Sequence, residues 1–197
     1  MNYYNRELID DTGDFVRKSG GTPMARGHGE IDSGQYDYSG FVFGACAGAA
    51  FYKSDLFRSA GLFDEDFFAY LEDVDLSFRY QLYGYKCYYN HEIVCFHKRR
   101  ETTNKFKGWE TFYTERNLIA MRIKNYPLAL YLKYSPLFFM ARINRYRLFL
   151  FKYPKGTFIN ALKGYLSGLT QIPSALIKRN KIQSKRKVSS EYLENLF

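Results

Sequence analysis

The chain has 197 residues, of which 46% are apolar and 25% charged, so it can bury a core and is not a disordered tail. Its net charge of +9 combines −5 over residues 1–104, with 11 Lys and Arg against 16 Asp and Glu, and +14 over residues 105–197, with 18 against 4. The acidic first part argues against nucleic-acid binding there, because phosphate contacts need clustered Lys and Arg. Three cysteines without metal-ligand spacing support neither a disulfide framework nor a zinc site, and they indicate a reducing compartment.

The start of the chain is predicted to hold loops and short elements. Nine of the 15 glycines lie between residues 10 and 48, which favours loops with short strands, including one over 41–43. A short helix is expected from Ser54 to Gly61, with Ser54 as its N-cap and Gly61 as its stop.

The clearest predicted helix covers residues 66–82 and is followed by two strands. Its apolar positions recur at spacings of 4, 3, 4 and 4 and form one face: Phe67, Leu71, Val74, Phe78 and Leu82. Gly84 is expected to end this helix. Strands are then predicted over 85–89 and 93–96, on either side of a turn.

The second half is predicted to be helical and basic. A long helix is expected from about Gly108 to Asn125, stopped by Pro127, and three further segments are separated by prolines 136, 154 and 173. Their apolar residues alternate with Lys and Arg, a pattern typical of helices that lie in a membrane interface without spanning it. A helical tail that is solvated or packed against a partner, and an RNA-binding tail, are the alternatives. Residues 178–187, KRNKIQSKRK, are predicted to be a flexible electrostatic tether.

Candidate chemical groups lie on the predicted helix and at the end of the last predicted strand. Glu72, Asp73 and Asp75 lie on or beside the polar side of the helix, and Asp75 with Arg79 has the i,i+4 spacing of a structural ion pair. By spacing alone, a solvated acidic face explains these carboxylates. His97 ends the strand, where ligands collect in α/β sheets, although a lone histidine is more often structural.

Four sequence strings in the first half form a distinctive set. They are GLFDE at 61–65, FFAYLEDVDLSFR at 67–79, GYK at 84–86 and VCFH at 94–97. Together they resemble the C-terminal half of family 2 glycosyltransferases of the GT-A fold, in the rhamnosyltransferase-like and galactofuranosyltransferase-like branch. The resemblance runs from about residue 11 to residue 122.

The resemblance implies an α/β fold in two parts. Residues 1–104 would form the C-terminal half of a Rossmann-like GT-A catalytic domain, and residues 105–197 a helical basic appendage. The nucleotide-binding half, with its D-x-D motif at a strand end, is expected upstream of Met1.

The resemblance also implies the roles of three residues in an inverting displacement at the anomeric carbon of a nucleotide sugar. Asp73 would be the general base that takes the proton of the acceptor hydroxyl, and Glu72 would hold or tune the site. His97 matches the family's ligand to a divalent cation, Mg²⁺ or Mn²⁺, which serves the leaving diphosphate.

The acceptor side is expected around Asp64, Glu65 and Gly48. Asp64 and Glu65 open the predicted helix, where stabilisation of the helix N-terminus by acidic groups is an equally good explanation. Gly48 ends the small-residue run 44–48, which would lie under the acceptor pocket, with simple tight packing as the alternative.

The leading hypothesis is therefore a glycosyltransferase fragment. It would transfer a sugar such as rhamnose from a dTDP- or UDP-sugar to a saccharide or lipid-linked saccharide acceptor in cell-surface polysaccharide synthesis. The appendage would bind an anionic membrane surface, which makes the protein cytoplasmic and peripheral at the inner face of the cell membrane. The alternatives are a non-catalytic membrane- or partner-binding module and a degenerate relative without the nucleotide-binding half. No nucleic-acid partner is expected.

Overall fold

The computed structural model describes residues 1–18, 21–98 and 106–197. Within them, four short strands form two antiparallel pairs: β1 (Asp14–Arg17) with β2 (Thr22–Ala25), and β3 (Gly40–Val42) with β4 (Cys87–Tyr89). The α-helices of these residues are α1 (Ser54–Ala60), α2 (Glu72–Leu82), α3 (Trp109–Asn125), α4 (Leu128–Phe151), α5 (Thr157–Thr170), α6 (Ile172–Ser184) and α7 (Ser190–Asn195). Short 3-10 turns lie at Ala47–Ala49 and Glu65–Phe67.

The mixture of helices and strands confirms the α/β class in its coarse form. Each of the two described sheets pairs two antiparallel strands. The strand predicted over 93–96 is wrong, because His97 instead forms an isolated bridge with Asn2 and its N–H donates to the carbonyl of Met1 at 3.1 Å. The predicted division between residues 104 and 105 lies outside the described residues.

The helix predicted over 66–82 begins later, at Glu72. Phe68, Tyr70 and Leu71 have positive φ angles of 60°, 65° and 70°, which a right-handed helix does not allow. The amide of Asn117 on α3 holds this segment by donating to three of its backbone carbonyls at 2.7–2.9 Å. A contact distant in sequence therefore overrides the local helical pattern.

Two further helix boundaries differ in part from the prediction. Gly61 ends α1 as expected, with a φ of 85°, but Ser54 is the first helical residue and makes no capping hydrogen bond from its side chain. Pro136 does not interrupt the second half, because it lies inside α4. The carbonyl of Leu132, which loses the N–H of Pro136, accepts a 3.0 Å hydrogen bond from the hydroxyl of Ser135 instead.

One apolar core joins helices from both halves of the sequence. Phe78 on α2 packs edge-on against Phe43 at a ring-centroid distance of 4.8 Å and tilted against Tyr126 at 5.1 Å. The C-terminal Phe197 contacts all three rings, and Leu193 on α7 is fully buried beside them. The aromatic excess of the sequence thus contributes to packing between the two halves.

A charge cluster of five residues fastens the second half to the first: Asp64, Asp75, Arg79, Lys124 and Lys178. Lys124 on α3 is only 2% exposed and lies 2.5 Å from Asp64 and 2.8 Å from Asp75. Asp75 also pairs with Arg79 at 3.1 Å, which confirms the predicted ion pair. Lys178 on α6 lies 2.6 Å from Asp64.

The segment predicted to be a flexible tether, residues 178–187, is in fact largely helical and packed against α3. Besides the contact of Lys178, Arg179 donates two 2.6 Å hydrogen bonds to backbone carbonyls at the end of α3. Gln183 donates to two more carbonyls there, at 3.0 and 3.1 Å. The prediction treated these charges as solvated because their partners lie far away in the sequence and no local pattern shows them.

The described helices also bear on membrane insertion. None of those within the described residues combines the length and the hydropathy that crossing a bilayer requires.

We expect acid to destabilise the fold through Asp64. Burial opposes ionisation of this carboxyl, but Lys124 and Lys178 outweigh burial and lower its pKa from 3.8 to about 2. A group with a lowered folded-state pKa contributes stability above its unfolded-state pKa and loses it as the pH falls through the folded value. The free energy of unfolding, measured with urea, should therefore fall between pH 4 and pH 2.

The matched variants for this pH prediction are Asp64→Asn and Asp55→Asn. Asp64→Asn should reduce the acid-dependent slope, whereas Asp55→Asn, at a carboxylate whose side chain is 87% exposed, should keep it. An unchanged slope in Asp64→Asn would show that Asp64 is not linked to folding.

Candidate active site

A single turn, Ala47–Ala49, contacts two of the predicted site residues. The backbone N–H of Ala47 donates to the Asp73 carboxylate at 3.0 Å. The imidazole of His97 packs against Gly48 so closely that a Cβ added there would lie 3.2 Å from the ring. The structure therefore brings Asp73, His97 and Gly48 to one place, although they are spread over 50 positions of the sequence.

Asp73 is positioned by the start of α2. It is the second residue of that helix, and its second carboxylate oxygen accepts a 2.8 Å hydrogen bond from the N–H of Val74. Free N–H groups at a helix N-terminus favour a negative charge nearby. Asp73 is half-buried, so its carboxylate is held by the protein and still borders solvent.

His97 is oriented by a buried carboxylate that the sequence analysis did not identify. Its Nδ1 lies 2.9 Å from Asp10, a residue that is 2% exposed. Because a carboxylate accepts hydrogen bonds, Nδ1 is the donor in this pair, and the neutral ring keeps a lone pair on Nε2. His97 can therefore offer one nitrogen to a ligand while Asp10 fixes the ring.

A pocket of about 400 Å³ opens beside this turn. Its wall includes most of the run from Gly44 to Tyr52, with Tyr80 from α2 and Tyr88 from β4. Gly44, Ala45 and Cys46 of the small-residue run line this pocket, whereas Gly48, Asp73 and His97 are not among the residues of its wall. Small side chains there leave room for a ligand beside the backbone.

Two tyrosines of the pocket wall, Tyr52 and Tyr80, have buried hydroxyls. Within the described residues, the buried hydroxyls of Tyr52 and Tyr80 have no hydrogen-bond partner. Burial and then the charge of Asp73 raise the pKa of Tyr52, so this phenol stays neutral and can donate. Burial also raises the pKa of the Cys46 thiol to about 12, which excludes a thiolate nucleophile at neutral pH.

Glu72 lies next to Asp73 and is more enclosed by the protein. Burial, and to a smaller degree the charge of Asp73, raise its pKa above the ordinary value. Its Oε2 atom is buried and has no hydrogen-bond partner among the described residues. Glu72 therefore binds a proton more readily than an ordinary glutamate does.

The remaining predicted acceptor residues lie elsewhere. Asp64 belongs to the charge cluster, where both of its carboxylate oxygens pair with lysines. Glu65 begins a separate 3-10 turn and is exposed. The prediction that these two residues open the same helix as Asp73 is wrong, because the segment with positive φ angles separates the turn from α2.

The divalent cation that the resemblance implies would find one candidate ligand, His97, among the described residues. No group of three or more His, Cys, Asp and Glu side chains is placed to hold a metal ion there. His97 fits as a single ligand, since metal-bound histidines commonly donate their other ring N–H to a carboxylate, as His97 does to Asp10. This part of the chain offers a ligand to a metal rather than a complete centre.

The sequence does not show the roles of Asp10, which orients His97, and of Asn117, which holds the segment before α2. Asp10 stands 87 positions before His97, and Asn117 about 48 positions after the carbonyls that it binds. No local spacing connects such pairs. For Asn117, the only signal was its position within the stretch that resembles the family.

We expect Gly44→Ala to distort the pocket and lower stability. A Cβ at Gly44 would lie 2.5 Å from both the Cβ and the Oγ of Ser77 on α2, which requires the backbone to shift. Overpacking of this kind costs about 1–3 kcal/mol. The free energy of unfolding from urea titration measures the effect.

Gly40→Ala is the matched control for this substitution. A Cβ at Gly40 would meet nothing within 4 Å, so the same change there should alter stability by only about 0.5 kcal/mol. Equal losses in the two variants would contradict the close approach of the run 44–48 to α2.

Comparison of the chain with protein-family models, curated protein sequences and solved structures gives no match. Its function is therefore argued from the site and from the sequence resemblance.

Proposed function

We propose that the chain forms the acceptor side of an inverting glycosyltransferase of the family 2 type, within a GT-A catalytic domain. The donor would be a dTDP- or UDP-sugar, with rhamnose as one candidate, and the acceptor a saccharide or lipid-linked saccharide of the cell surface. The observation that carries the proposal is the contact of Asp73 and His97 with one turn, Ala47–Ala49, whose last residue also lines a neighbouring pocket.

In this proposal Asp73 acts as the general base. A saccharide hydroxyl bound beside the turn Ala47–Ala49 would give its proton to the Asp73 carboxylate while its oxygen attacks the anomeric carbon, and the nucleoside diphosphate would leave from the opposite face. Tyr52 and Tyr80 line the neighbouring pocket, in which the rest of the acceptor would lie. Glu72 would tune the charge beside Asp73.

His97 would help to hold the divalent cation, Mg²⁺ or Mn²⁺. When bound, that cation supplies positive charge to the departing diphosphate. Asp10 keeps the imidazole of His97 oriented, and the other ligands would come from the donor and from the nucleotide-binding half expected upstream.

Residues 105–197 would bind the protein to an anionic membrane surface, as a cytoplasmic protein peripheral to the inner face. Residues 128–190 contain eight Lys and five Arg and no Asp or Glu, and α4 and α5 expose many apolar side chains. Such a surface combines apolar insertion with attraction to anionic lipids.

Saccharide binding to the folded chain tests the acceptor pocket. Titration with acceptor-like disaccharides should perturb the NMR signals of the run 44–52 and of Tyr80, and leave those of α4 unchanged. Perturbations confined to other parts of the chain would contradict the proposed acceptor site.

A non-catalytic membrane-binding module is the second candidate function. The exposed apolar side chains of α4 and α5 favour this candidate, because membrane binding through them does not require an active site. The two candidates separate in their response to Asp73→Asn, which would abolish sugar transfer in the first and leave the function of the second intact.

A further inference from the structure

We infer that a cleft between α3, α4 and α5 binds the phosphate of a single anionic phospholipid, with the acyl chains lying along the apolar faces of α4 and α5. The inference rests on the proposed membrane contact. It adds to that contact one specific site that binds a single lipid molecule. It is argued from the shape of the cleft, its charge and the apolar side chains that border it.

The cleft has a volume of about 540 Å³ and is open to solvent on one side. Its walls are mainly apolar and aromatic, and they include Ile119, Phe138, Phe139, Ile143, Tyr165 and Leu169. Two guanidinium groups, those of Arg122 and Arg142, complete the lining. An apolar cleft with a few charged groups is the usual form of a small-molecule site, and the volume is within the range of roughly 300–1,000 Å³ seen for such sites.

The charge at the base of the cleft is positive. Arg145 and Arg142 share one carboxylate, that of Glu115, at 2.7 and 3.8 Å. Burial, followed by repulsion from Arg145 and Arg142, lowers the pKa of Arg122 to about 10, as expected for a guanidinium beside other cations. Residues 116–190 contain no Asp or Glu, so none of α4, α5 or α6 supplies a carboxylate to balance this charge.

The guanidinium of Arg142 is pre-oriented for an anion. It stacks over the ring of Tyr165 at 4.3 Å, and its side chain is 16% exposed. Its long, distorted pairing with Glu115 leaves donor capacity for a phosphate, since a guanidinium has five N–H groups. Arg–phosphate contacts are short and charge-assisted, and they strengthen in a partly dehydrated cleft.

Two exposed apolar stripes border the cleft. On α4, the exposed residues that share one arc of about 60° are Leu128, Leu132, Phe139, Ile143 and Leu150. On α5, the exposed residues of the stripe are Ile159, Leu162, Leu166 and Leu169. Phe139, Ile143 and Leu169 belong both to these stripes and to the cleft wall, so the apolar surface is continuous with the arginine pair.

This combination selects the occupant. A free phosphate would use the arginines but not the apolar walls, and a single-stranded nucleic acid would need a solvated basic groove with stacking faces. An anionic phospholipid would use both the arginines and the apolar surface, because its phosphate would pair with the guanidinium groups while its acyl chains cover the apolar stripes. A lipid with a choline headgroup lacks the net negative charge that the cleft requires.

The test uses the folded chain and a short-chain phosphatidylglycerol kept below its micelle concentration, so that no bilayer is present. We expect saturable binding, with Arg142→Gln at least tenfold weaker and the matched variant Arg147→Gln within twofold of the wild type. Arg147 carries the same charge on the same helix, but it is exposed and does not line the cleft. Equal weakening by the two variants would overturn the site, because it would indicate non-specific charge attraction.

A second variant guards against unfolding of Arg142→Gln. Leu169→Trp fills the cleft without a change in charge, and it should weaken binding of the soluble lipid while circular dichroism shows an intact fold. Binding that is unchanged in Leu169→Trp, or equally tight with short-chain phosphatidylcholine or with inorganic phosphate, would contradict the inference.

Vesicles of phosphatidylcholine with and without phosphatidylglycerol then report on the membrane contact itself. Co-sedimentation that requires phosphatidylglycerol and falls more in Arg142→Gln than in Arg147→Gln supports both the membrane contact and the lipid site. Binding of the soluble lipid without vesicle binding keeps the lipid site and refutes the membrane contact. Vesicle binding with equal loss in both variants keeps the membrane contact and refutes the lipid site.

Discussion

Replacing Lys124 by methionine is expected to lower the free energy of unfolding by about 3–5 kcal/mol, the usual loss when one partner of a buried ion pair is removed. Lys124 is almost fully buried and lies within 2.8 Å of both Asp64 and Asp75. Methionine fills similar volume but supplies no charge. Asp75, which is fully buried, would then depend on Arg79 and Asn125 alone.

The control for Lys124→Met is Lys181→Met, at an exposed position of α6. It should change stability by about 0.5 kcal/mol or less. Urea denaturation measures both variants. A loss below about 1 kcal/mol in Lys124→Met would mean that the charge cluster does not fasten α3 and α6 to the first half of the chain.

Replacing Asp73 by asparagine is expected to slow sugar transfer about 10²–10⁴-fold, the contribution typical of a general base. Asparagine keeps the shape of the side chain and one oxygen that can accept from the N–H of Ala47, so the fold should be retained. The measurement is acceptor-dependent release of nucleoside diphosphate by the longer protein, including the nucleotide-binding half expected upstream.

Asp55→Asn provides the matched control for Asp73→Asn. Asp55 lies on α1 with its side chain 87% exposed, so its loss should leave the transfer rate unchanged. A loss of kcat without a comparable rise in the KM for the acceptor would be the signature of a missing base. A rate for Asp73→Asn within twofold of the wild type would exclude Asp73 from this role.

The helices were predictable wherever a local signal defined them. The long helix ends at Asn125, as its proline-marked boundary predicted, and Gly61 ends α1. The Asp75–Arg79 pair formed because i,i+4 neighbours on a helix meet whatever the surroundings. These features depend on a few neighbouring residues, and the sequence displays them directly.

Features that depend on distant partners were not predictable. The start of α2 is set by Asn117, which binds the preceding segment from another helix. The segment 178–187 is predicted to be a tether because its charges have no partner nearby in sequence, whereas Lys178 reaches Asp64 across 114 positions. The orientation of His97 by Asp10 has the same origin, since the two are 87 positions apart.

The proximity of three predicted site residues agrees with the resemblance, whereas the contacts that hold them were not predictable. Asp73, His97 and Gly48 were named from the resemblance, and they share one turn. The pocket hydroxyls and the carboxylate of Asp10 have no counterpart in any local pattern. Asp64 was misplaced because apolar periodicity extended the predicted helix across a segment that tertiary contacts hold in another conformation.

The most direct test of the central claim is sugar transfer itself. A protein extended to include the nucleotide-binding half that the resemblance implies, with Mn²⁺, a dTDP- or UDP-sugar and a saccharide acceptor, should release nucleoside diphosphate only when the acceptor is present. It should form a glycosidic bond of inverted anomeric configuration. Absence of transfer from every nucleotide sugar tested, in a folded protein that binds both donor and acceptor, would contradict the account.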